Sequence, residues 1–265
     1  MKKVISIALA LLMVAVMLPV MAMAEGTLPE PVNGVITLTE NVVLADAVEI
    51  NSDVTIDLHG CSITSNNGNS GKVIIAMANV TIKDSVGGGR IESTSTSGGS
   101  SAAIRVGTAG KDKDITVTIE SGIMKGRDCG IFVAGINSKL VVNGGYIEGT
   151  NGFGVSGNGS MENGVPKCGP TTITINGGKI IGGGTGIYHP QVGELTIKNG
   201  EITGETGVEI RAGKLTVNGG TITATGDPTS TDPNGNGSTT VGAAIAVVQH
   251  TTQLPINVEI NGGTF

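Results

Sequence analysis

Aromatic residues are nearly missing from this chain of 265 residues, which has three Phe, two Tyr and no Trp. Charged residues are scarce at 14 %, and cysteine is limited to three. Each shortage excludes something. An odd cysteine count without a C-x-x-C pair argues against both a full disulfide framework and a structural zinc site. Few bases, 16 against 22 acids, leave no basic patch for nucleic acid. Disorder is a poor fit, because 38 % of the chain is hydrophobic and rich in Val and Ile. Glycine is what the chain has in excess, with 44 residues. Each would weaken a helix interior by about 1 kcal/mol, and they do not recur every third residue as collagen needs. An all-β protein with many turns remains.

The amino terminus stands apart. Lys2 and Lys3 precede an apolar run from Val4 to Val20, and Ala22-Met23-Ala24 supplies small residues at a cleavage position. That order predicts a secretory signal peptide over residues 1–24. Its removal takes away two lysines and no acid, leaving 14 basic against 22 acidic residues and a net charge of −8. No second apolar stretch is long enough to span a bilayer. The expected product is secreted or held at the cell surface, with no transmembrane segment after cleavage and no nucleic-acid partner.

The rest of the chain repeats. Val54-Thr55-Ile56-Asp57, Val80-Thr81-Ile82-Lys83, Val117-Thr118-Ile119-Glu120, Leu140-Val141-Val142-Asn143, Ile173-Thr174-Ile175-Asn176, Leu195-Thr196-Ile197-Lys198, Leu215-Thr216-Val217-Asn218 and Val258-Glu259-Ile260-Asn261 can be laid over one another. Each alternates with the two-residue period of a strand. Most run into Gly-Gly or Asn-Gly, and a further apolar residue such as Ile147, Ile180 or Ile202 follows. A second strand signal recurs at Ala103-Ile104-Arg105-Val106, Gly130-Ile131-Phe132-Val133, Gly186-Ile187-Tyr188 and Gly207-Val208-Glu209-Ile210. The shortest spacings between units are 20 to 23 residues, and the longer ones carry Gly/Ser/Thr/Pro-rich extras. A unit of that size, rich in β-branched residues and without a helical return, predicts one coil of a parallel β-helix rather than a leucine-rich repeat. The expected architecture is an all-β, single-stranded parallel β-helix solenoid of about eight or nine coils. Residues 25–50 form the amino-terminal cap and first coil, and 51–265 the repeats. Insertions fall at 93–114 (Ser93–Ser101 with Gly107–Asp114), 157–170 and 226–241.

With those coils in view, the chain resembles the right-handed parallel β-helix proteins of the pectin-lyase-like superfamily. "VTIDLHGCSIT" at residues 54–64 and "LTVNGGTIT" at 215–223 carry the likeness, which spans Val35 to Phe265. Right-handedness is implied by that resemblance and by the usual hand of parallel crossovers. The likeness lies in residues that build coils, and fold does not carry activity.

Stacking turns equivalent positions into columns. Asn143, Asn176, Asn218 and Asn261 precede glycines, and suit tight turns in which their amides can bond along the axis. Thr55, Thr81, Thr118, Thr174, Thr196 and Thr216 form one outward rank; only Thr116/Thr118 and Thr172/Thr174 make a paired rank, which is too little for an ice-binding face. The second-strand column is the varied one, with Arg105, Phe132, Ser156, Tyr188, Glu209 and Ala246 in succession. Arg127, Asp128, His189 and Arg211 lie beside it. Exposed aromatics two coils apart could stack sugar rings while charged neighbours bind hydroxyls or uronates. The plainer reading packs Phe132 and Tyr188 beneath the insertions. The candidate ligand-binding set is Arg105, Arg127, Asp128, Phe132, Tyr188, His189, Glu209 and Arg211.

Chemistry is thinly signalled. Lyases of the resembled family use a Ca²⁺-binding Asp cluster with an Arg base, and its hydrolases use paired aspartates with His in Gly-rich motifs. Here Asp-Asp does not occur, and His59, His189 and His250 stand alone. No catalytic residue, metal ligand or cofactor is assigned; Glu209 with Asp128 is a conceivable acid pair but a weak one, three coils apart. Cys129 and Cys168 flank neighbouring coils, and whether they pair is open. The expected function is a non-catalytic adhesion or carbohydrate-binding module for a polysaccharide or cell-surface glycan. The rival is a polysaccharide lyase or glycoside hydrolase acting on an acidic glycan. Val258, Ile260 and Phe265 form an apolar last edge, expected to be covered by further chain, another protomer or a folded-back insertion.

Overall fold

The computed structural model describes residues 23–66, 71–96, 101–229 and 232–265. Every coil turns through three short strands, and three parallel sheets result. Sheet I begins with Val35–Thr37 and Val54–Asp57 and ends with Gly213–Val217 and Ile256–Ile260, nine strands in chain order. Sheet II has nine strands from Met23–Glu25 to Thr221–Ala224, and sheet III eight from Val48–Ile50 to Ile245–Val247. One coil reads Thr171–Ile175, Lys179–Gly182 and Thr185–His189 before Gly193–Ile197 opens the next. The architecture is a parallel β-helix. Residues 1–22 of the expected leader lie outside the described residues, whereas Met23 and Ala24 open the first strand, beside Asn41 and Val42.

The bore is built by the period. Ile36, Ile56, Ile82, Ile119, Val142, Ile175, Ile197 and Val217 stand in register through sheet I, and all are buried. Ile63, Ile91, Met124, Ile147, Ile180, Ile202 and Ile222 do the same in sheet II. Burying each such side chain is worth about 1.5–3 kcal/mol, which is how short strands hold without helices packed on them.

The corner between sheets I and II repeats Asn-Gly chemistry. Gly178 sits at φ +87°, a left-handed conformation that an L side chain resists. The amides ahead of the glycines bond vertically, Asn176 Nδ2 donating to Asn143 Oδ1 at 2.8 Å and Asn261 Nδ2 to Asn218 Oδ1 at 2.9 Å. Strict alternation fails at the opposite corner, where sheet II meets sheet III. A Cβ on Gly130 would lie 2.5 Å from Ile147 Cγ2, so position 130 faces inward, as does Ile131 after it. Val73 and Ile74 are likewise buried in succession.

Within the 93–114 range, Ala102–Val106 is a strand of sheet III and separates the Ser93–Ser101 and Gly107–Asp114 extras. Residues 157–170 carry a small antiparallel hairpin, Met161–Glu162 against Val165–Pro166, and reach back along the rod to Gly110 and Gly135. From the 226–241 insertion, Ser238, Thr239 and Thr240 bond to residues of sheet III, and the last strand stays exposed among the described residues. Val258, Ile260 and Phe265 there are 38 %, 51 % and 56 % exposed.

Candidate functional site

The register of sheet III places Arg105 beside Phe132, Phe132 beside Ser156, Ser156 beside Tyr188, Tyr188 beside Glu209 and Glu209 beside Ala246. The column expected from sequence is real, but it is not an exposed face. Tyr188 is 6 % exposed, Glu209 is fully buried, and Ser156 and Ala246 are buried as well; Arg105 and Phe132 are half-buried. The insertions have folded onto it. Tyr188 stacks on Phe153 with centroids 4.9 Å apart, so the aromatic pair that forms is not Tyr188 with Phe132. Burial pushes the Tyr188 phenol up to about 12, with Arg211 opposing, and it stays protonated.

Glu209 and Arg211 hold the later insertion down. Glu209 accepts from Ser238 Oγ at 2.6 Å and from the backbone N–H groups of Thr239 and Thr240. Arg211, also fully buried, donates to the carbonyls of Gly237, Val248 and Gln249, and its Nε lies 3.5 Å from Glu209 Oε1. Thr206 Oγ1 donates to the Thr240 carbonyl, and Thr185 shares a hydrogen bond with Ser238. These charges are spent on the chain itself. They clamp 237–249 onto the sheet instead of meeting a ligand.

The remaining expected residues separate. Arg127 and Asp128 occupy the turn between Ile123–Gly126 and Cys129–Val133. Asp128 pairs with Arg127 Nε at 3.0 Å and accepts the Ser101 N–H at 2.8 Å, and Arg127 also donates to the Thr96 carbonyl. His189 shares the inward side of its strand with Ile187 and sits beside Ile210 in the bore, fully buried. Neither ring nitrogen makes a hydrogen bond of good geometry among the described residues. Burial drives its pKa down to about 4, with the Gly193 backbone opposing, so the ring is neutral. His189 is therefore a core residue, corrected from the outward face because it falls on the odd side of the alternation. Cys61, Cys129 and Cys168 are all buried, and Cys129 and Cys168 are not joined in a disulfide.

What the insertions create is a cleft of about 690 Å³, within the range of small-ligand sites. One wall is Asn158, Gly159, Ser160 and Met161, the floor is Tyr188 and Pro190, and the far wall is Asn236, Gly237, His250, Thr251 and Thr252. No carboxylate, lysine or arginine lines it. His250 accepts the Thr252 N–H on Nδ1 at 3.3 Å, which leaves the proton of the neutral ring on Nε2. Burial, aided by Arg211, lowers its pKa and keeps it neutral. The cleft thus offers amides, hydroxyls and one imidazole donor around an apolar floor. Sequence columns could not reveal it, since most of its residues lie in unrepeated segments. The one sequence signal is the uncharged polar density shared by the two insertions.

Among the described residues no three His, Cys, Asp or Glu gather as a metal ion would need, and no helix is long and apolar enough to cross a membrane. No family model matches the chain, and neither a curated protein nor a solved structure does. The class that geometry alone defines is a parallel β-helix whose third sheet carries an insertion-walled cleft.

Proposed function

We propose that this chain is a secreted or cell-surface carbohydrate-binding module, non-catalytic, on a right-handed β-helix of the pectin-lyase-like type. The cleft carries the reading. Its hydroxyls and amides can share hydrogen bonds with sugar hydroxyls, and the Tyr188–Pro190 floor with Met161 suits the apolar face of a pyranose ring. The leader-like start of the sequence supports export. A two-carboxylate mechanism gains nothing from the described geometry: Asp128 and Glu209 are engaged by Arg127, Ser101, Ser238 and Arg211.

Purified protein should be titrated against a panel of neutral and acidic polysaccharides, with and without Ca²⁺. The expected outcome is saturable binding that Asn236→Ala weakens at least tenfold without moving the melting temperature. Unaltered binding by that variant would move the site elsewhere. Release of unsaturated ends absorbing in the ultraviolet would replace this reading with a lyase.

A further inference from the structure

Sheet III also carries two cations that form no ion pair among the described residues. Lys72 begins the strand Lys72–Ala76 and Arg105 lies in the next strand, Ala102–Val106, whose Ala102 is in register with Lys72. Lys72 is only 8 % exposed, and Arg105 is half-buried with its Nε shielded from solvent and without a hydrogen-bond partner. Among the described residues neither forms an ion pair, although the chain has 22 acidic residues against 16 basic ones. Burial lowers the pKa of both, and Arg105 lowers that of Lys72 further, with Cys129 and Asp128 opposing at Lys72 and Cys168 opposing at Arg105. Asp128 is the acid that acts on Lys72, yet its oxygens are taken by Arg127 and the Ser101 N–H. The adjoining segments 67–70 and 97–100, outside the described residues, read Asn-Gly-Asn-Ser and Ser-Gly-Gly-Ser and contain no acid.

Burying a cation without a partner is costly, and burying two side by side more so. An uncharged pair would hold this corner with less penalty, and the neighbouring positions in register are indeed Ala102 and Cys129 beside Lys72, and Ile75 and Phe132 beside Arg105. We infer that Lys72 and Arg105 form an oxyanion-binding site, taking a carboxylate, sulfate or phosphate group between the ammonium and the guanidinium fork. Arg supplies a planar pair of donors matched to such oxygens, and Lys adds a point charge. The site is separate from the uncharged cleft and does not depend on what the cleft binds. Where the oxyanion belongs to a glycan, it does rest on the glycan reading.

Inorganic sulfate is the first probe and dextran sulfate the second, with unmodified dextran as the uncharged match. Variants Lys72→Met and Arg105→Met keep an unbranched apolar stem and remove the charge. Both should melt higher than the parent by about 2–4 °C, as expected where a functional charge is held at the expense of stability. Sulfate should raise the parent's melting temperature, and that response should vanish in both variants. Dextran sulfate binding at least tenfold tighter than sulfate, with dextran inert, assigns the oxyanion to a polymer. Equal affinities assign it to a free anion. A parent indifferent to sulfate and dextran sulfate, or variants that melt lower than the parent, would overturn the site. Loss of neutral-sugar binding at the cleft with the sulfate response intact would sink only the glycan reading.

Discussion

Sheets I and III are made of the same coils and have opposite fates. On sheet I the outward rank runs Thr55, Thr81, Thr118, Val141, Thr174, Thr196, Thr216, half-buried and uncovered. The pair of Lys214 with Glu259 at 3.4 Å stands in solvent. On sheet III no two neighbouring coils from Arg105 to Ala246 repeat an outward residue, and Glu209 and Arg211 there are buried under the later insertion. Regular columns support themselves. An insertion has no repeat to lean on, so it must be tied by particular side chains, and sheet III supplies them.

The comparison is sharpest between the two ion pairs. Arg211→Ala removes three bonds to backbone carbonyls and leaves the Glu209 carboxylate buried without its cation. Breaking a buried pair from one side costs about 3–5 kcal/mol. That is expected to undock the 237–249 segment, read as protease nicking there while the rod's far-ultraviolet signal persists. Lys214→Ala on sheet I should cost less than about 1 kcal/mol, since its partner is solvated. Equal sensitivity of the two variants to protease would erase the distinction between the sheets.

The irregularity of sheet III reaches its inner side as well, at His189. Below pH 6.5 the unfolded chain binds a proton on this ring, whereas the folded ring, with a pKa of about 4, refuses it. Folding stability therefore falls as the pH drops from 6.5 toward 4, by about 3 kcal/mol at 1.36 kcal/mol per unit. His250, also lowered, adds in the same direction. The depressed carboxylates Asp53, Asp57, Asp84 and Glu259 start from 3.8 or 4.5, so their contribution is lost at lower pH. Urea denaturation of His189→Leu between pH 7 and 4.5 should show a flatter profile than the parent. An unchanged slope would mean that the ring is protonated in the bore or reached by water.

Sequence periodicity reads well what repeats and poorly what does not. The order Arg105–Phe132–Ser156–Tyr188–Glu209–Ala246 emerges from spacing alone, because register in a solenoid is counted residue by residue. Its burial does not, because Glu209 and Arg211 reach backbone groups of an aperiodic segment. Lys72 escapes for a different reason. It precedes the corner where Val73 and Ile74 both face inward, so alternation assigns it to the wrong side. His189 is misplaced by the same blindness to side, and Asn236, Thr251 and His250 meet Asn158 only through folding of two insertions.

The smallest expected effect belongs to the ladder at the corner of sheets I and II. Asn176 Nδ2 donates to Asn143 Oδ1, and Asn143 Nδ2 donates to Glu120 Oε1 at 2.9 Å, so three coils are joined by two exposed bonds. Water competes for each, and a typical hydrogen bond nets about 0.5–1.5 kcal/mol. Asn176→Ala removes one bond and leaves the Asn143 oxygen free to hydrate. The residue's backbone is unaffected, because the left-handed residue of this turn is Gly178. The expected loss is about 0.5 kcal/mol, at the low end of that range, and glycan and sulfate binding should be unchanged. A loss several times larger would show that the ladder acts as a cooperative strip along the rod, and sheet I would then depend on side-chain ties much as sheet III does.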